Sequence, residues 1–331
     1  MGPDCVLLCH SVLALFLASS FIAAQSTQEK PTPPPAQDQT TPAVPESKPL
    51  IDPKEPSVLG ELQIIPINSK ILHNTRKLRV WLPANYFAPV NRAKHYPVLY
   101  MQDGQNLFDE ATAVNHEWKF DETVQFLTGS MRIHPMIVVG IDSAGEPHQR
   151  AVEYLPYPDS LNPQSPGPDE VRGKEFADFV VKEVMPFVQK KYRVAFGQAN
   201  TGIGGSSYGA TLSLYIALHY PTLFGKALIE SPILEVGNGK LMRDAEAAKI
   251  FPLKTYIAAG TNEGRDAEIS SKLVQDVQEL EKILRAKGLG PNRLGVVVEE
   301  GARHDELAWS KRLPNALLFL YGSDIHLLPA K

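Results

Sequence analysis

The sequence predicts an α/β fold with a mostly parallel central sheet and helices on both faces. Two observations predict it. Short β-branched or aromatic runs recur along most of the chain, and helical stretches lie between them, the clearest with apolar residues at spacings of three and four. The chain has 331 residues with 43% hydrophobic content, enough for one large single-core domain or two small ones.

The strand candidates, in order, are LRVWLP (78–83), YPVLYM (96–101), PMIVVGID (135–142), KALIES (226–231), KTYIAAG (254–260) and RLGVVVEE (293–300). Between Glu268 and Lys287 the positions Leu273, Val274, Val277, Leu280, Ile283 and Leu284 predict a core-packing helix that Gly288 stops. A second helix is predicted from Arg172 to Tyr192 on Phe176, Phe179, Val180, Val184, Phe187 and Val188. Pro186 lies inside it and removes a backbone donor, so a kink is expected near Met185. No internal repeat is visible.

Ahead of the domain the composition changes twice. Residues 1–24 carry an apolar run from Cys5 to Ala24 that ends in small residues, which reads as a secretory signal peptide. Its first residues depart from that pattern, with Asp4 and no Lys or Arg, so an uncleaved membrane anchor is the alternative. The expected location is secreted or periplasmic, with no membrane span after signal cleavage. Both cysteines, Cys5 and Cys9, lie in this segment, so the cleaved chain would have no disulfide and no thiol chemistry. Residues 25–57 are polar and dense in proline, the composition of an extended linker. The folded domain is expected over residues 58–328. With 33 Lys plus Arg against 37 Asp plus Glu, and no basic stretch interleaved with aromatics, nothing points to nucleic acid.

The chemistry is concentrated in GGSSYGA (204–210). A nucleophile elbow is G-x-S-x-G between a strand and a helix, with glycines where the two backbones pass too close for side chains. Gly205-Ser206-Ser207-Tyr208-Gly209 fits with Ser207 at the centre, whereas centring on Ser206 puts Tyr208 where no side chain is wanted. NTGIG (200–204) supplies a short strand before it and ATLSLYIALHYP, from Ala210, an apolar helix after it.

A serine nucleophile needs a base, and a base needs an orienting acid, in the order Ser, acid, His for this setting. After Ser207 come His219, His304 and His326. His219 belongs to the helix after the elbow and His326 to the tail. His304 lies in the loop GARHDELAW that directly follows the strand VVVEE and is the candidate base. Glu263, just past the strand TYIAAG, is the candidate acid, with Asp266 as its rival. An oxyanion hole needs backbone NH donors. Tyr208, after the nucleophile, and Gln105, in the loop QDGQNLFDE, are expected to provide them.

The pieces DGQNLFD (103–109), GSSYG (205–209), AAGTNEG (258–264) and HDELAWSKRLPNALLFLYG (304–322) resemble the putative esterase family of α/β-hydrolases, which includes esterase D, enterochelin esterases, feruloyl esterases and mycolyltransferases. The resemblance runs from about Gly60 to Gly322. It implies an α/β-hydrolase fold and carboxylic ester hydrolysis with no metal or organic cofactor. It also implies Ser207 as nucleophile, His304 as base and Glu263 as acid, although many relatives carry Asp at the last position. The expected cycle is attack by Ser207, an acyl-enzyme, and its hydrolysis by water.

The substrate is expected to be a small-molecule or polysaccharide ester. Asp103, Trp118, the loop 153–159 and Trp309 are candidates to line its cleft, although Trp118 and Trp309 also suit loop packing. The alternatives are acyl transfer of the mycolyltransferase type and a non-catalytic surface-binding module on the same fold.

Overall fold

The computed structural model describes residues 56–159 and 162–322. These belong to one compact unit, Asp52–Lys331. The expected signal peptide, the linker up to residue 55 and His326 lie outside the described residues. Among the described residues no helix is long and apolar enough to cross a membrane.

Eight strands form the sheet: β1 (Glu61–Ser69), β2 (Asn74–Leu82), β3 (Val98–Gln102), β4 (Ile137–Ile141), β5 (Thr201–Ser206), β6 (Lys226–Glu230), β7 (Lys254–Asn262) and β8 (Leu294–Arg303). Their spatial order is β1-β2-β4-β3-β5-β6-β7-β8. β2 runs antiparallel to β1 and β4, and every other pairing is parallel. Between and after the strands run α1 (Phe120–Gly129), α2 (Pro147–Tyr154), α3 (Gly173–Phe179), α4 (Met185–Lys191), α5 (Tyr208–His219), α6 (Val236–Ala247), α7 (Ala267–Ala286) and α8 (Glu306–Tyr321).

The two-residue period of the strands sends alternate side chains into two cores. On one face Val98, Tyr100, Ile137, Val139 and Ile203 meet Phe176 and Phe179 of α3, Leu212 and Ile216 of α5, and Val277 and Leu280 of α7. On the other, Leu99, Met101, Val138 and Leu228 meet Phe120 and Val124 of α1 and Leu313 and Leu317 of α8. Burial on both faces explains why β3 and β4 read as unbroken apolar runs. The helices therefore cover both faces, as expected of the α/β-hydrolase fold.

Three expectations change. β1 was not anticipated. The helix expected over 172–192 carries a π-helical segment, Val180–Val184, between α3 and α4, so the disturbance expected near Met185 takes the form of a widened turn that ends next to it. Pro186 has no NH to offer, and the wider turn just before it absorbs the irregularity. Ser57, expected to close the free linker, is instead held by the domain. Its NH donates to Asp109 Oδ1 at 3.3 Å, its hydroxyl accepts from Glu110 NH at 2.9 Å, and it also bonds Glu117.

Candidate active site

The carboxyl ends of β3, β5, β6, β7 and β8 bring the candidate residues together, where ligands bind in open α/β sheets. Ser207 follows β5 and precedes α5, with φ 57° and ψ −131°. This strained turn lifts the side chain off the sheet. The flanking glycines have a steric reason: a Cβ on Gly205 would stand 2.7 Å from the Gly209 carbonyl carbon, and one on Gly209 would stand 3.0 Å from Gln102 Cβ. Ser206 is the last residue of β5. Its neighbour Ser207 is the N-cap of α5, so Tyr208 NH is one of the helix's orphan donors.

His304 and Glu263 arrive from neighbouring strands. β7 continues to Asn262, two residues beyond the expected end, with an irregular register against β8 between Gly260 and Asn262. A Cβ on Gly260 would lie 2.1 Å from Ala302 O, so these strand ends can approach only because that residue is glycine. The approach sets Glu263 Oε2 3.2 Å from His304 Nδ1. Glu263 Oε1 accepts from Gly260 NH at 2.5 Å and from Ser231 Oγ at 2.6 Å. Ser231 in turn accepts from Trp309 Nε1 at 2.9 Å. The rival acid faces elsewhere: Asp266 caps α7, accepting from Ile269 NH at 2.9 Å. His219 also stays apart, with its ring stacked on Tyr215 at 3.9 Å and its Nδ1 2.9 Å from Tyr215 O.

Gln105 lies in a 3-10 turn, Gly104–Asn106, whose first hydrogen bond is made by Asn106 NH. Its side chain is pinned in both directions by Ser143, donating to the hydroxyl at 2.9 Å and accepting from the NH at 3.1 Å. Asp103, with φ 55°, accepts both arms of Arg150, at 2.7 and 2.8 Å. It lines the cleft already committed to that ion pair. Burial alone would lower the Arg150 proton affinity, but the Asp103 charge outweighs it and holds the guanidinium protonated.

Ser207, Tyr208, Gln105, His304, Asp103 and Trp309 line one cleft of about 550 Å³, whose other walls include Asn106, Asn115, His148 and Arg150. Trp309 sits edge-on to His304, with centroids 5.3 Å apart. Trp118 does not reach the cleft. It is 1% exposed and packs beneath Trp309 and against Phe120, so it supports the floor and its expected contact with substrate is withdrawn. A second hollow of about 420 Å³ opens at the same Ser207 and His304, and its walls include Ile233, Ile269 and Leu273. Among the described residues no cluster of His, Cys, Asp or Glu is arranged to hold a metal ion.

Arg150 and Ser231 escaped the sequence reading. Ser231 was within reach, since it closes the run KALIES at a strand's carboxyl end. Arg150 gave no signal, because its partner is 47 residues away along the chain.

The family model described as "Putative esterase" matches residues 69–320. The uncharacterized protein YbbA of Bacillus subtilis (strain 168) is 24% identical over 250 residues, which is 75% of this chain and 94% of the relative. Among solved structures, a ferulic acid esterase superposes with a TM-score of 0.59 at 18% identity, covering 79% of this chain and 97% of its own. An IroE-like serine hydrolase from Shewanella oneidensis gives 0.60 at 20% identity, covering 79% and 80%. The chain belongs to the "Putative esterase" family and is a carboxylic ester hydrolase of the α/β-hydrolase fold.

Proposed function

We propose that the chain is an exported serine esterase that works through a Ser207–His304–Glu263 triad and an acyl-enzyme. The observation that carries this is the 3.2 Å contact between His304 Nδ1 and Glu263 Oε2, in a histidine that shares its cleft with an elbow serine. Glu263 accepts a hydrogen bond from Nδ1–H, which keeps the proton on Nδ1 and leaves Nε2 free to act as base. Ser207 Oγ attacks the ester carbonyl carbon while Nε2 takes its proton. The carbonyl oxygen, now negative, accepts from the NH groups of Tyr208 and Gln105. The intermediate collapses, the C–O bond to the alcohol breaks, and the imidazolium gives the alcohol its proton. Water, deprotonated by His304, then attacks the acyl carbon, and Ser207 recovers its proton as the carboxylic acid leaves. One oxyanion donor of this kind is worth about 3 kcal/mol.

The two hollows suggest which group goes where. The one walled by Ile233, Ile269 and Leu273 suits an apolar acyl or aryl group, and the cleft rich in amide and charged side chains suits a polyhydroxy alcohol. The alcohol must leave behind a space that water fills beside His304, which favours the polar cleft for it. An exported enzyme of this kind fits an acylated polysaccharide or siderophore ester.

The test is hydrolysis of p-nitrophenyl acetate, butyrate and hexanoate by the chain from Asp52 onward, as parent, Ser206→Ala and Ser207→Ala. We expect activity that falls by about three orders of magnitude or more only in Ser207→Ala, and that rises with acyl length in the parent. Activity indifferent to Ser207 would overturn the assignment. A labelled acyl group passing to added alcohol in preference to water would turn the reading toward acyl transfer.

A further inference from the structure

Behind the candidate acid lies a charge cluster, buried except at Glu299, that the proposed cycle does not use. Arg312 of α8 is 4% exposed and faces three carboxylates from three strands or their ends. Its Nη1 donates to Glu299 Oε2 of β8 at 2.8 Å, and its Nε donates to Glu230 Oε2 of β6 at 3.1 Å. Its Nη2 lies 3.0 Å from that same Glu230 oxygen and 3.8 Å from Glu263 Oε1. That Nη2 group makes no hydrogen bond, and neither does Glu230 Oε1. Glu230 is the last residue of β6 and fully buried, and its carbonyl oxygen accepts the Ser207 NH at 2.9 Å.

Desolvating such a cluster is costly, and apolar residues of the same volume commonly stabilise a fold as well or better. Stability therefore gives no reason for it at this place. Its position does, because one guanidinium touches the residue that orients the base and the residue that holds the nucleophile's backbone. The unbonded Nη2, 3.0 Å from Glu230 and 3.8 Å from Glu263, is a spare donor for Glu263 when His304 takes up charge, and active-site bonds commonly tighten only at that moment.

We propose that Arg312 is a positioning residue for ester hydrolysis, fixing Glu263 against His304 and linking it through Glu230 to the backbone of Ser207. The inference rests on the triad reading above. It does not require Arg312 to touch substrate.

The test is steady-state hydrolysis of p-nitrophenyl butyrate by Arg312→Gln, Arg312→Lys, Glu263→Ala and the double variant Glu263→Ala/Arg312→Gln. Arg312→Gln is expected to lower kcat by about tenfold or more with KM changed less than about twofold, and Arg312→Lys to recover part of the loss. In the Glu263→Ala background the same change should cost nothing further, because the interaction acts through the acid. Should Arg312→Gln alone not fold, Glu230→Gln/Arg312→Gln removes the fully buried one of the stranded carboxylates and is read against Glu230→Gln in the same way. Parental kcat in the folded variant, or losses that multiply in the double variant, would overturn the proposal. If Ser207→Ala or Glu263→Ala itself left kcat unchanged, the failure would lie in the triad reading beneath.

Discussion

Ser207 has a backbone conformation, φ 57° with ψ −131°, that a side chain disfavours and glycine accepts readily. The strain belongs to the elbow: the turn must lift one hydroxyl clear of the sheet while Gly205 and Gly209 let strand and helix close beneath it. Replacing Ser207 by glycine should therefore separate stability from activity. We expect Ser207→Gly to raise the unfolding free energy by about 1 kcal/mol while abolishing ester hydrolysis. Denaturant melts of parent and variant check this, and an unchanged or lower midpoint would mean that the turn is unstrained. The same conformation is why the two adjacent serines could be told apart in the sequence, since only one frame leaves both close-approach positions to glycine.

The strand ends and helix caps place the two carboxylates in different surroundings. Glu263 follows β7 directly, whereas Asp266 is the N-cap of α7, its carboxylate bonded to Ile269 NH. Sequence left the two as rivals because both lie within a few residues of a strand end, and only the tertiary approach of β7 to β8 separates them. Asp266→Ala should cost about 1 kcal/mol of stability through the lost cap and leave kcat/KM at the parental value, as thermal melts and p-nitrophenyl ester kinetics can check. A large loss of activity would return Asp266 to the site. Strands buried on both faces were legible for the same physical reason that makes them sheet interior, namely uninterrupted β-branched and aromatic runs. β1 was not, because ELQIIPINS is an edge strand with mixed exposure and a proline at its centre, so neither period nor composition marks it. The π-helical segment was half legible: Pro186 announced a disturbance, but not that it would take the form of a widened turn over Val180–Val184.

At the scale of the molecule, the carboxyl edge of the sheet collects Ser207, Glu263 and His304, the proposed nucleophile, acid and base, from the ends of β5, β7 and β8. The ion pairs around it, Arg150 with Asp103 and Arg312 with Glu263, join residues 47 and 49 positions apart and leave no local pattern. A second long-range tie secures the N-terminal end of the described domain. Leu59 NH donates to Asp121 Oδ2 at 2.6 Å and Leu59 O accepts from Trp81 Nε1 at 2.7 Å. Burial pushes the Asp121 carboxyl up to about 8; the Leu59 bond opposes this and Glu122 adds to it. An unfolded aspartate releases its proton near pH 4, so between about pH 4 and 8 the folded chain holds a proton that the unfolded chain has lost. Stability contributed by this group is therefore present below that window and is lost as pH rises through it. Glu117, also raised by burial, acts with the same sign. Asp121→Asn keeps an acceptor for Leu59 and cannot ionise. We expect the parent's denaturation midpoint to fall between pH 5 and 8.5 more steeply than that of Asp121→Asn, leaving the variant the more stable at the alkaline end. Parallel slopes would mean that Asp121 titrates as an ordinary surface carboxylate and that its bond to Leu59 does not depend on pH in this range.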